Sequence, residues 1–245
     1  MAEAAISSRT QEALLRIRLR REAYAHFSMF INWVHEHASH RWVFRGQPMH
    51  WSLKPTVGRS SAYKPEMERL LLDEFKRSAL PHLDRNRLTS DWDWLAVAQH
   101  HGLPTRLLDW TTNPLIACFF ATEVHGKSKQ DGEIYSYQAS EVGYYAPENP
   151  DVVDPFAITK EGFFRPSALA ARIVSQRGLF SIQPYPDRAW HLSKKADKFQ
   201  IPARFKAEFR RALFNMGADS AFIMSDLDGL AATLKWRFEN RMLGE

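Results

Sequence analysis

Apolar positions along this chain alternate between helical and strand spacing without a regular order. Between residues 8 and 38, Leu14, Leu15, Ile17, Leu19, Tyr24, Phe27 and Phe30 recur at mixed helical spacings, with arginines between them. A helix is predicted there, capped by Ser7-Ser8 and with room for a break near Ser28. Arg41-Trp42-Val43-Phe44-Arg45-Gly46-Gln47 is aromatic and β-branched and runs into Pro48, as a short strand ending in a turn does. Trp51-Ser52-Leu53 alternates and stops at Pro55. Met67, Leu70, Leu71, Phe75 and Leu80 then set out a helix over residues 65–80, with Pro65 at its first turn.

The next pattern is a helix from Asp91 to His101, capped by Ser90 or Asp91 and ended by Gly102 and Pro104. Asn113-Pro114 opens a buried helix through Ala121. Glu133 to Tyr137 alternates like a half-buried strand. Residues 140–168 are rich in Pro, Gly and Asp and read as a long loop, and Ala171 to Ile182 as two short strands about Arg177-Gly178. Helices are predicted over residues 202–216 and from Asp226 to Trp236. Helices and short strands mixed without βαβ alternation predict an α+β single domain. No repeat, low-complexity tract or linker interrupts it.

Composition narrows the picture modestly. Of 245 residues, 44% are hydrophobic and 25% charged, enough to bury a substantial core. The net charge of +5 permits an anionic partner without requiring one. Cys118, the sole cysteine, rules out an internal disulfide and a cysteine-rich zinc site. It sits in an apolar run and reads as a buried, inert thiol in a reducing, cytoplasmic setting. No apolar run approaches the ~20 residues of a membrane span, and the arginine-rich start does not resemble a signal peptide, so no membrane partner is expected.

Three segments together resemble the FRG family, which takes its name from a Phe-Arg-Gly motif. The first is Trp42 to Gln47, followed by Trp51, Leu53, Pro55 and Arg59. The second and strongest is the run from Gln99 through Thr111, continuing with Asn113-Pro114, Ala117, Phe119 and Ala121. The third is Arg172 to Gln176 with Gly178 and Phe180, and Asp226 to Leu230 resembles the family's C-terminal segment. On this resemblance, residues 1–40 form an N-terminal helical segment and 41–245 the FRG domain. Members of the family lie near toxin and phage-defence genes, which implies an effector of that kind.

Each polar residue of these segments admits a structural and a functional reading. Arg45 offers a fork of donors for phosphate, or ties a turn to the C-terminal segment through Asp226 or Asp228. Gly46 lets a ligand or a backbone approach closely. His100 orients a ligand or acts as acid or base, or is a helix-end histidine satisfied by backbone, and His101 is expected to be exposed. Arg106 and Asp109 are expected to form a buried ion pair. The hydroxyls of Thr111 and Thr112, beside Trp110, can cap the next helix or favour an anion. Gln176 can bind a ribose or a base edge, or bond to backbone.

The order of these pieces is also similar to that of the ADP-ribosyltransferases. In that superfamily an early strand carries an Arg that meets NAD phosphate, a middle element of hydroxyls leads into a helix, and a late strand carries a catalytic Glu. The resemblance implies a split sheet, with NAD as substrate and a protein or RNA acceptor. Arg45, His100, Thr112 and Gln176 would serve catalysis, and Phe44, Arg45, Gly46, Gln47, Trp110, Thr111 and Thr112 would hold the nucleotide. The departure is at the third element, where Gln176 stands and no Glu follows within the turn. An amide stabilises an oxocarbenium-like charge poorly. Glu123 or Glu161 supplies the carboxylate, or the reaction is not transfer to protein, or the domain binds without catalysis.

Other chemistries have less support. The chain has no Gly-x-Ser-x-Gly elbow, Walker loop or Gly-x-Gly-x-x-Gly. His35-Glu36-His37 lacks zinc-protease spacing, and Glu66 with Glu68 is too sparse for a metal nuclease, so no metal is expected. The non-enzymatic alternative is a nucleotide- or RNA-sensing module. It rests on the basic balance, the eight tryptophans and the arginines at 16, 18, 20 and 21. Most of those tryptophans fall in core patterns, and the arginines read as a solvated helix face.

Overall fold

A computed structural model describes residues 2–82, 88, 90–123, 130–146, 154–166, 175–193 and 196–243. Among these residues seven strands form one mixed sheet: β1 (Trp42–Gln47), β2 (Leu107–Thr111), β3 (Gly132–Gln138), β4 (Tyr144–Tyr145), β5 (Gly162–Phe164), β6 (Gly178–Ile182) and β7 (Ala196–Ile201). Their order is β4-β5-β6-β2-β1-β3-β7, and every neighbouring pair is antiparallel except β4 with β5. The helices are α1 (Ala2–Glu36), α2 (Pro65–Ala79), α3 (Asp91–His100), α4 (Pro114–Ala121), α5 (Lys206–Asn215), α6 (Ser220–Met224) and α7 (Leu227–Glu239). The architecture is α+β in a single domain, as the mixed pattern predicts.

Period-two alternation gives the sheet two apolar faces. One face carries helices in two groups. Phe27, Phe30 and Trp33 of α1 pack with α4 and α5 over Phe44, Ile134, Phe199 and Ile201. Leu72 of α2 and Trp92 and Leu95 of α3 pack over Leu107, Phe164, Phe180 and Ile182. The opposite face, with Val43, Leu108, Trp110 and Tyr137, is covered by Leu53 and Trp190 from loops. A gap remains between the two helix groups, above β1, β2 and β6.

Pairing in the centre is uneven. β1 joins β3 through six residues, and β2 joins β6 through five. β1 and β2 meet only at Phe44 and Thr111, so they part immediately beyond that point. Gly46 lies where they part, and α4 crosses directly over it. A Cβ there would come within 1.8 Å of Ala117 O and 2.9 Å of Ala121 N. The close approach that Gly46 permits is that of a backbone.

Several expectations need correction. The first helix starts at Ala2 and runs unbroken past Ser7-Ser8 and Ser28, and Ser28 Oγ donates to Tyr24 O within it (3.0 Å). At 1.5 Å per residue it is ~50 Å long, so only its C-terminal half can lie on the sheet. Leu14, Leu15 and Ile17 are accordingly exposed. Trp51-Ser52-Leu53 is not a strand, although Leu53 O accepts from Trp190 N. The loop over 140–168 contains β4 and β5, and its residues 147–153 and 167–168 lie outside those described. Of the two strands expected over 171–182 the second is present as β6; residues 171–174 lie outside the described residues, Ser175 is helical, and Gln176 and Arg177 form a turn.

The expected Arg106–Asp109 pair does not form. Arg106 instead makes a bidentate bond to Glu68 of α2, both contacts 2.8 Å, and donates to Pro155 O. Asp109, 62% exposed at its side chain, faces the gap. Asp226 does not meet Arg45 either: it caps α7 by accepting from Gly229 N (2.7 Å), and Gly229 packs against Ser220 O of α6. Cys118 is fully buried, which pushes its thiol well above the usual range.

Candidate functional site

The gap above the sheet is a cleft of about 310 Å³. Its floor is Phe44, Asp109, Thr111 and Phe180 from β1, β2 and β6. One wall is α4, through Ile116, Ala117 and Phe120, with Glu123 just past the helix end. The facing wall is the last turn of α3, with Gln99 and His100. Pro48 and Trp51 stand at one end and Gln176 and Gly178 at the other.

Arg45 is fixed where β1 and β2 part. Its Nη1 donates to Asp109 O (2.6 Å) and lies 3.9 Å from Asp109 Oδ2, while Nε points at Gln47 Oε1 (3.4 Å). The side chain is only 12% exposed. Burial pulls its pKa below the usual arginine value, and the positive charge of Arg59 adds to this. Asp109 and Tyr135 oppose the shift. Arg59 is itself held by Lys54 O (2.8 Å) with its guanidinium 5.5 Å over the Trp51 ring. Burial lowers its pKa too, again opposed by Asp109. An arginine stays charged under these conditions. Two guanidinium groups therefore repel each other beside one exposed carboxylate, and an anion entering the cleft would relieve that repulsion.

A polar relay holds this end rigid. Gln47, fully buried, donates Nε2 to Trp51 O (2.9 Å) and braces Arg45 from behind. Gln99 donates to Asp109 Oδ2 (2.9 Å) and accepts from Thr105 Oγ1 (2.6 Å). Thr105 Oγ1 in turn accepts from Leu107 N (3.1 Å). On the other rim, buried Lys206 of α5 donates to Pro48 O and to Glu123 O (3.4 Å). Burial lowers its pKa, with Asp131 opposing.

The far end is held by Thr111. Its Oγ1 donates to Gln176 O (2.6 Å) and accepts from Asn113 N (3.0 Å). The cap of α4 is Asn113, whose Oδ1 accepts from Leu115 N, and not a threonine hydroxyl. Gln176 Nε2 lies 3.9 Å from Met224 Sδ, and Ser175 Oγ donates to Ile223 O (3.1 Å), so α6 backs this end.

Of the residues singled out from sequence, Phe44, Arg45, Gly46, His100, Trp110, Thr111 and Gln176 border the cleft. Gln47 stands behind Arg45 and reaches the cleft only through it. Thr112 borders a different hollow. Trp110 turns its indole into the opposite face, donating Nε1 to Ser181 Oγ (2.9 Å). His100 stacks edge-on against exposed His101, with ring centres 4.8 Å apart. Trp51, Arg59 and Asp109 belong to the site although sequence reasoning gave them no such role, and Glu123, one of the two candidates for the carboxylate, borders the cleft. The spacing of Trp51 and Arg59 behind the Phe-Arg-Gly run was the one available signal for two of those three. Among the described residues no group of three or more His, Cys, Asp or Glu side chains is arranged to hold a metal. No described helix is long and apolar enough to cross a membrane.

Fold and site together define an α+β protein whose central sheet opens between two strands onto a basic, aromatic-lined cleft. Residues 40–130, which supply most of that cleft, match the family model of the FRG domain. Comparison with curated proteins and with solved structures gives no match.

Proposed function

We propose that the cleft binds a nucleotide diphosphate, with NAD as substrate, and that the protein acts by ADP-ribosyltransferase-like chemistry as an effector of the toxin or phage-defence kind. The observation that carries this reading is Arg45, held nearly out of solvent where β1 and β2 part, with Arg59 and Trp51 beside it. Two of its donors are spent on Asp109 and Gln47 and the others are free for a diphosphate. Trp51, Phe120 and Phe180 offer flat apolar surface for the rings of a dinucleotide.

The carboxylate absent beside Gln176 is replaced from another element. Glu123 borders the cleft, whereas exposed Glu161 lies near Tyr145, away from it. In the reaction the bond between ribose and nicotinamide nitrogen breaks, and nicotinamide leaves with the electron pair. The positive charge on the ribose is stabilised by Glu123. Water or an acceptor nucleophile, a protein or RNA group, then adds to the same carbon and gives up its proton to the carboxylate. His100 lines the cleft as a second acid–base group.

The test is incubation of the purified protein with NAD labelled in its adenylate half, with and without cell lysate. Free nicotinamide and label on macromolecules are followed separately. Glu123→Gln is expected to lower turnover by at least a hundredfold while NAD still binds. Binding without turnover in the wild type leaves a nucleotide-sensing module. Neither binding nor turnover removes the NAD reading altogether.

A further inference from the structure

We infer a second, phosphate-binding site on the far side of the wall that closes the cleft at Thr111 and Gln176. A hollow of about 480 Å³ lies there. Ser39 and His40 reach it from the turn after α1, Thr112 from the start of α4, Arg165 from the end of β5, and Arg177 from the turn before β6. Five polar side chains from four separate stretches of chain thus converge on one concavity. Its described lining contains no carboxylate.

Among the described residues no ion pair involves Arg165 or Arg177. Asp197, which meets the wall residue His37, is held by Trp33 Nε1 (2.7 Å) and His37 Nε2 (3.5 Å). His37 also has Nδ1 2.6 Å from Trp33 O, so it forms a fixed wall and the other side chains supply the donors. Arg165 is steadied by the Tyr144 ring, 5.8 Å below its guanidinium.

Arg177 gives the clearest sign that the arrangement is built. Its φ of +46° lies in the left-handed region, which non-glycine residues seldom occupy and which clusters at functional positions. Two hydrogen bonds hold it there: Thr112 N donates to Arg177 O (3.2 Å), and Thr111 Oγ1 donates to Gln176 O (2.6 Å). The turn sends consecutive residues to opposite sides, with Gln176 bordering the cleft and Arg177 the hollow. Two planar guanidinium forks with hydroxyl donors suit the tetrahedral oxygens of a phosphate group. This assignment does not depend on the chemistry proposed for the cleft.

The phosphate belongs either to a free anion or to the backbone of a single-stranded nucleic acid, and titration separates the two. The full chain is titrated calorimetrically, in phosphate-free buffer, with inorganic phosphate and with a short single-stranded oligonucleotide. R165Q/R177Q is expected to weaken binding at least tenfold, while R165K/R177K, which keeps the charge, retains most of it. The same comparison is repeated in the Arg45→Gln background, which disarms the cleft, and the loss on R165Q/R177Q is expected to persist there. Glutamine tolerates the backbone of position 177 as arginine does, and circular dichroism checks that the fold is kept. An oligonucleotide bound at least tenfold more tightly than phosphate assigns the site to nucleic acid, and comparable affinities assign it to a free anion. Absence of binding by the wild type, or binding indifferent to R165Q/R177Q, overturns the inference.

Discussion

At the scale of the residue, the three letters of the Phe-Arg-Gly run do three different jobs. Phe44 is core, packed edge-on to Trp33 with ring centres 5.9 Å apart. Arg45 belongs to the cleft, and Gly46 makes room for α4. Any side chain at Gly46 meets backbone atoms of Ala117 and Ala121, which cannot rotate away. Gly46→Ala is therefore expected to cost about 3 kcal/mol, the upper end of overpacking effects, read as a lowered urea midpoint with unchanged slope. The sequence made Arg45, His100, Thr111 and Gln176 visible because their residue types suit phosphate or ribose. It could not separate Gln47 from Arg45, because whether a side chain meets ligand or braces a neighbour depends on strand register. Thr112 was drawn in by adjacency to Thr111, yet successive residues at a strand end face different ways.

Elements with a strong helical period were legible from pattern, as α2, α3, α4, α5 and α7 show, together with β1 and β3. β2 was missed because Leu107-Leu108-Asp109-Trp110-Thr111 is buried on both faces apart from Asp109 and shows no clear alternation. β7 was missed because half of Ala196-Asp197-Lys198-Phe199-Gln200-Ile201, an edge strand, is polar and its alternation is broken at Asp197-Lys198. The partner of Arg106 was out of reach because Glu68 lies 38 residues away. That buried pair joins α2 to the entry of β2. Glu68→Ala leaves the arginine buried and uncompensated, and should cost about 3–5 kcal/mol in chemical denaturation.

The pairing of β7 with β3 has its own electrostatic tie. Glu133, 2% exposed, accepts from Lys198 Nζ (2.8 Å), His50 Nδ1 (3.0 Å) and Tyr135 Oη (3.0 Å). Burial pushes its pKa up, but the three hydrogen bonds together bring it below the ordinary 4.5. The unfolded chain thus binds the proton more readily, so this contribution is complete above the ordinary value and is lost as pH falls through the lower folded one. Urea midpoints measured from pH 7 down to 3 should fall in that range for the wild type. Glu133→Gln should start lower at neutral pH and fall less steeply.

Across the whole molecule, one arrangement joins fold to function. Two helix groups cover one face of a single sheet and leave the cleft between them, over the seam where β1 and β2 part. The FRG match ends at residue 130, yet β6 and the turn at Gln176 close the cleft and Lys206 of α5 braces its rim. The C-terminal half of the chain thus completes a site whose chemistry lies mainly in the matched part. The central claim is that this cleft holds a nucleotide diphosphate on Arg45. It is tested most directly by calorimetric titration of the wild type and Arg45→Gln with NAD and with ADP. Saturable binding of both by the wild type is expected, with affinity lowered at least a hundredfold in a variant that unfolds within a few degrees of the wild type. Absence of binding by the wild type, or equal affinity in the two proteins, would contradict the account.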